Sequence, residues 1–163
     1  MELIKNKFKK NYIYIIIVLL MFALDRVSKL YVMNFFLSYS EQSYYLFPFL
    51  NLTLIWNTGM AFGLFSSESY IYQIISIIIF FVITCLIIWL YRSNSILEKT
   101  SLSLIIGGAF GNLFDRIKYN AVPDFIDMHY NNFHWFVFNV SDIIITIGIL
   151  MLLLTDLFKK NEN

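Results

Sequence analysis

Four long apolar stretches separated by short polar clusters set the pattern of this chain: Tyr12 to Met33, Ile71 to Tyr91, Leu97 to Phe114 and Phe136 to Phe158. Each approaches the length of about 20 helical residues that crosses a hydrocarbon core of about 30 Å. The third is diluted by Gly107, Gly108 and Gly111. Its Gly107/Gly111 spacing lets helices approach closely, which predicts an interior helix. The segment from Tyr44 to Phe65 has a different texture, rich in aromatic and β-branched residues and broken by Pro48, Gly59 and Gly63. It predicts short strands with a turn near Asn57-Thr58-Gly59, lying at the membrane interface where Tyr and Trp are at home. The expected fold is an all-α membrane protein: four transmembrane helices with a small extracytoplasmic β-rich cradle. No internal repeat or low-complexity tract divides it, so residues 1–163 read as a single domain.

Composition strengthens the membrane reading. Hydrophobic residues make up 59% of the chain and charged residues 14%, against about a quarter charged in a soluble domain. A domain of this size has too little interior to hide that much apolar surface, so the remainder faces lipid. The basic residues form short runs beside apolar segments rather than a groove-sized patch, which argues against nucleic acid. Lys5, Lys7, Lys9 and Lys10 before the first apolar run imitate a secretory signal. No small-x-small cleavage site follows, and a retained first span is expected. The lone Cys85 excludes an internal disulfide and, within an apolar run, reads as inert packing.

Charge also orients the chain. The N-terminal tail, the linker holding Arg92 and Lys99, and the Lys159-Lys160 tail fall on one side. The loop 34–70 has no Lys or Arg, and the loop from Asp115 to Trp135 has only Arg116 and Lys118, at its start. The excess of positive charge on the cytoplasmic side then places both termini in the cytoplasm and both longer loops outside.

Ionisable residues inside a membrane are costly, and here they gather at one depth. Asp25 and Lys29 lie four residues apart near the outer end of the first helix. Asn112, Asp115 and Arg116 close the third, Asn139 and Asp142 open the fourth, and Asp124 and Asp127 lie in the loop that feeds it. Asp25 with Lys29 reads equally as a helix-end ion pair or a substrate-side group. Asp115 with Arg116 has an interfacial charge pair as its plain reading, and Asn57 with Gly59 a turn. Asp142 has no cation within a helical turn, so no structural partner accounts for it. His129 and His134 fall in a loop without metal-ligand spacing and read as solvated or hydrogen-bonded.

Zinc-hydrolase and nucleophile-elbow motifs are missing, and the adjacent Ser28 and Lys29 do not face each other on a helix. Carboxylates remain, and two that share a proton activate water near neutral pH. Spacing alone does not choose among Asp115, Asp124 and Asp127 as the partner of Asp142.

Four blocks resemble the lipoprotein signal peptidase family, the bacterial signal peptidases of type II. Asp25-Arg26-Val27-Ser28-Lys29 is similar to D-x-x-[TS]-K, and Asn57-Thr58-Gly59-Met60-Ala61-Phe62-Gly63 to N-x-G-x-A-F-[GS]. The stretch from Gly107 to Arg116 (GGAFGNLFDR) resembles G-G-A-x-G-N-x-x-D-R. Asp124-Phe125-Ile126-Asp127 with Phe138-Asn139-Val140-Ser141-Asp142 resembles V-V-D-F-I-D with F-N-x-A-D. Trp56, Pro123 and Ser141 depart from the usual Arg, Val and Ala, which concerns tuning of the site; Ser141 is placed to add a hydrogen bond beside Asp142.

The resemblance implies an aspartic endopeptidase with Asp124 and Asp142 as its catalytic pair. Asp25, Lys29, Asn57, Gly59, Asn112, Asp115, Arg116 and Asn139 would bind substrate or brace the site. It also implies a prolipoprotein substrate, cut just before a lipobox cysteine that carries a diacylglyceryl group. The expected setting is the bacterial cytoplasmic (inner) membrane, with the site near the outer leaflet. Prolipoproteins and membrane lipids are the expected partners of a monomer, without cofactor, metal or nucleic acid. The competing reading is a small channel, transporter or assembly scaffold with a polar outer vestibule. It requires a polar path through the full membrane thickness, whereas the inner halves hold little beyond Ser76, Thr84, Ser101 and Ser103.

Overall fold

Apolar runs of helical length alternate with aromatic, β-branched runs, and the computed structural model, which describes residues 2–38, 43–59, 69–131 and 133–161, follows that division. Its elements are α1 (Glu2–Ser38), β1 (Ser43–Phe47), β2 (Leu50–Asn57), α2 (Ser69–Arg92), α3 (Ile96–Tyr119), β3 (Val122–Tyr130), β4 (Phe133–Phe138) and α4 (Val140–Asn161). The protein is mostly helical, with one antiparallel four-stranded sheet in the order β1-β2-β3-β4.

The third helix is interior, as its glycines suggest: α3 packs against α1, α2 and α4. A Cβ added at Gly107 would lie 2.7 Å from the Met21 Cβ and 2.9 Å from the Val18 carbonyl oxygen. One at Gly111 would collide with the Ser141 hydroxyl and lie 2.5 Å from Asp25 Oδ2. Each glycine thus removes a side chain where a neighbouring helix comes closest. Tyr14, Ile83, Leu102, Ile106 and Leu113 form the apolar core around this helix. Ser95 opens α3 by accepting a hydrogen bond from the Glu98 N–H at 3.3 Å. Asn120, at φ 56°, ends it in the left-handed conformation.

Large apolar side chains cover the outside, and Ile77 and Phe81 of α2 are each 67% exposed. Cys85 also lies exposed on α2 rather than packed inside the bundle, which corrects the expectation of a packing role. Among the described residues, Gln73–Arg92 is the one helical segment long and apolar enough to cross a membrane by itself; Val140–Thr155 is a shorter apolar stretch. The expected four spans are therefore not matched by hydropathy alone. Charges interrupt α1 and α3, although Asp25, Lys29 and Asp115 are fully buried in the bundle.

The sheet is larger than expected and lies partly elsewhere. The β1–β2 turn falls at Pro48-Phe49 rather than near Asn57-Thr58-Gly59; β2 runs on through Asn57, and Gly59 (φ 79°) bends the chain after it. Residues 60–68, which include Ala61 to Gly63 of the expected loop block, lie outside the described residues. The interval from Asp115 to Trp135, expected as loop, contains the end of α3, all of β3 and the start of β4. His129 and His134 accordingly sit on strands. The first four residues of β3 are buried on both faces, so no alternation marks them as strand. Phe136 to Phe138, assigned to the fourth span, belong to β4, and α4 begins only at Val140. The apolar run passes from strand to helix with no polar residue before Asn139 to mark the change.

Candidate active site

Helical spacing places Asp25 and Lys29 on one face of α1, where both are fully buried and paired at 2.9 Å. Lys29 Nζ also donates to Asp115 Oδ2 and to Asn112 Oδ1, each at 2.7 Å. Arg26, which sequence reasoning did not single out, binds both oxygens of Asp115 at 2.5 and 2.6 Å and also reaches Asp25 Oδ2. Its guanidinium rests on the Phe114 ring, 4.9 Å from the centroid. Lys29 and two carboxylates are therefore fully buried with a half-buried Arg26, and all four are paired, the condition under which buried charge is tolerated. The ion-pair reading of Asp25 and Lys29 holds. The proposed pairing of Asp115 with Arg116 does not, because adjacent helix residues diverge and Asp115 turns inward to α1.

Asn112 carries this cluster to α4: its Oδ1 accepts from Lys29, and its Nδ2 donates to Asp142 Oδ1 at 2.8 Å. Asn139 is the residue just before α4. Its Oδ1 accepts from the Asp142 N–H at 3.2 Å, and its own N–H donates to Asp142 Oδ2 at 3.0 Å. This reciprocal cap fixes the Asp142 carboxylate in the first turn of α4. The Asn139 Nδ2 meanwhile donates to Asp124 Oδ1 at 2.6 Å, while Asn57 Nδ2 donates to Asp124 Oδ2 at 2.8 Å. Asn57 also forms the expected local turn, its Oδ1 accepting from the Gly59 N–H at 2.7 Å. Residues of α1, α3, α4, β2 and β3 thus join in one hydrogen-bonded chain ending at two carboxylates held by one asparagine.

Asp124 is 2% exposed, and burial pushes its carboxyl above the usual carboxylate range. Hydrogen bonds from Asn139 and Asn57 oppose that rise, the charge of Asp142 adds to it, and Lys29 opposes it. Asp142 is half-buried and opens onto a recess of about 260 Å³ between Phe136, Phe138 and Ile143. The Arg116 guanidinium lies over Gly59, with Nη1 2.6 Å from where a Cβ would stand, so a side chain there has no room. Its Nε is buried and, among the described residues, has no hydrogen-bond partner, and Asp124 and Asp142 are the leading charges that act on it.

Asp127 stands apart from this chain, accepting instead from His134 Nδ1 at 2.9 Å. The expectation of no metal ligation rested on sequence spacing, yet the sheet brings Asp127, His129 and His134 within ligand reach of one another. Ser141 gives Asp142 no hydrogen bond: its buried hydroxyl has no partner among the described residues, and its N–H donates to Asp25 Oδ1 at 3.2 Å. The other two departures face each other, Trp56 opposite Pro123 across β2 and β3. The Trp56 ring packs edge-on against Tyr119 at 5.3 Å.

This architecture, a glycine-lined helical bundle with a small sheet and a buried acid and amide network where they join, is shared with a solved bacterial membrane enzyme. That structure, at 2.3 Å resolution, superposes with a TM-score of 0.74 at 28% identity, covering 92% of this chain and 90% of that one. The sequence pattern described as signal peptidase (SPase) II matches residues 17–158. The chain is 48% identical to the lipoprotein signal peptidase of Pelagibacter ubique (strain HTCC1062), covering 97% of this chain and 95% of that protein. It is 35% identical to the lipoprotein signal peptidase of Anaplasma phagocytophilum (strain HZ), with coverages of 94% and 97%. The chain belongs to the signal peptidase II family.

Proposed function

We propose that this protein removes signal peptides from diacylglyceryl-modified prolipoproteins, cutting just before the lipidated lipobox cysteine, with Asp124 and Asp142 as the water-activating pair. One observation carries the assignment: Asn139 holds both carboxylates, Asp124 through its side chain and Asp142 through its backbone N–H. Asp124, whose buried carboxyl keeps its proton to higher pH, donates a hydrogen bond to the scissile carbonyl. Asp142, ionised, takes a proton from the attacking water. As the tetrahedral intermediate collapses, that proton passes to the leaving amine. Arg116, whose Nε has no partner among the described residues, binds substrate carbonyl oxygens. Asp25, Lys29, Asn112 and Asp115 brace α1, α3 and α4 behind it.

The same reading makes residues 1–163 one domain with four spans, both termini cytoplasmic and the sheet outside. Charges paired inside the bundle spare α1 and α3 the cost that hydropathy assigns them. The apolar recess beside Asp142 suits a substrate held at the outer leaflet by its acyl chains. The enzyme works as a monomer among membrane lipids. A channel is disfavoured, because Thr84, Ser101 and Ser103 spend their hydroxyls on backbone carbonyls four residues earlier instead of lining a path.

Purified protein mixed with a diacylglyceryl lipobox peptide tests this directly by mass spectrometry. Cleavage before the lipidated cysteine is expected, with no covalent adduct on acid-quenched enzyme. A peptide adduct on Ser28 or Ser141, or cleavage elsewhere, contradicts the reading.

A further inference from the structure

We propose that the β3–β4 hairpin carries a divalent transition-metal site, of zinc type, formed by Asp127, His129 and His134. The chain has two histidines in all, and the sheet register sets them directly opposite each other, His129 on β3 and His134 on β4. Their rings stack at 5.1 Å with an interplanar angle of 22°. Asp127, two residues before His129 across an irregularity in the β3–β4 ladder, accepts from His134 Nδ1 through both carboxylate oxygens, at 3.0 and 2.9 Å. One donor atom from each residue lies within 4.8 Å of the other two. A tetrahedral zinc with bonds near 2.0–2.1 Å needs its ligands about 3.3 Å apart. His134 Nδ1 already lies 2.9 Å from Asp127, and its side chain is 54% exposed, so its ring has room to turn.

The observation that points to a ligand is the other imidazole. His129 Nδ1 is buried and, among the described residues, has no hydrogen-bond partner. A buried ring nitrogen left unpaired costs free energy, and a metal bound there removes the cost. Two imidazoles and one carboxylate suit zinc, nickel or copper rather than calcium or magnesium, whose ligands are oxygens. Three protein ligands leave a fourth position for water.

The ion would cross-link β3 to β4, and β4 leads from His134 directly to Asn139, which anchors both carboxylates of the proposed active site. The metal is thus a brace on the strand that delivers Asn139, not a participant in hydrolysis. The proposal stands independently of the catalytic assignment.

The test is calorimetric titration of zinc chloride into full-length, tag-free, chelator-stripped protein in detergent. One equivalent should bind, and zinc should raise the melting temperature through mass action. His129→Gln, His134→Gln and Asp127→Asn should each weaken binding by at least about tenfold. Cys85→Ser, which removes the one thiol, should leave it unchanged. No binding, or binding that survives loss of both histidines or vanishes with Cys85, overturns the site. X-ray absorption of the zinc-loaded wild type decides even where a variant fails to fold. Two imidazole shells at about 2.0 Å are expected, and a spectrum without imidazole scattering contradicts the proposal.

Discussion

A single residue, Asn139, links the two carboxylates that the proposed chemistry needs, Asp124 through its side chain and Asp142 through its backbone N–H, and neighbouring groups set how Asp124 titrates. Asn57 Nδ2 donates to Asp124 and favours its ionised form, against the burial that favours the protonated one. Asp124 acts as the protonated partner, so activity falls as pH rises through the alkaline step of the coupled pair. Replacing Asn57 with Ala removes a bond that lowers this pKa. The Asp124 proton then persists to higher pH, and the alkaline limb of the kcat/KM profile should move upward. A limb that moves to lower pH would mean that Asp124 is not the proton donor. Asp142 was legible in the sequence as a carboxylate without a structural partner. Arg26 was not, because its long arm reaches around the helix to Asp115 while the residue itself sits off the Asp25/Lys29 face.

At the scale of elements, the buried ion cluster fastens α1 to α3 at the depth where the chemistry is proposed. Lys29→Met keeps the apolar stem but leaves Asp25 and Asp115 to share Arg26 alone. Breaking a buried pair this way typically costs about 3–5 kcal/mol. The variant should unfold at lower denaturant in detergent; a melting profile matching wild type would show that the cluster contributes little. Helices were readable from long apolar runs, although length and apolarity alone mark only Gln73–Arg92 among the described residues, and the Gly107/Gly111 spacing marked α3 as central. β3 was not readable, since burial on both faces erases alternation. The start of α4 was misplaced because the aromatic strand Phe133–Phe138 runs into the helix with one polar residue, Asn139, between them. That residue is both helix cap and carboxylate anchor, a double role visible only once β3 lies beside it.

At the scale of the whole molecule, the lysine asymmetry predicts reporter fusions after Asn94 and at the C-terminus on the cytoplasmic side, and fusions near Glu41 or Asn131 outside. An outside signal at the C-terminus would mean an odd number of spans and would contradict this orientation. The proposed hydrolysis itself rests on two acids acting together while a third, Asp127, is engaged by His134. The most direct measurement is kcat on a diacylglyceryl lipobox peptide for Asp124→Asn, Asp142→Asn and Asp127→Asn, each purified at wild-type membrane levels. The first two should lose a factor of about 10² or more, the scale of general acid–base catalysis, while Asp127→Asn stays close to wild type. Loss in Asp127→Asn with activity retained in Asp124→Asn would contradict the assignment of the pair.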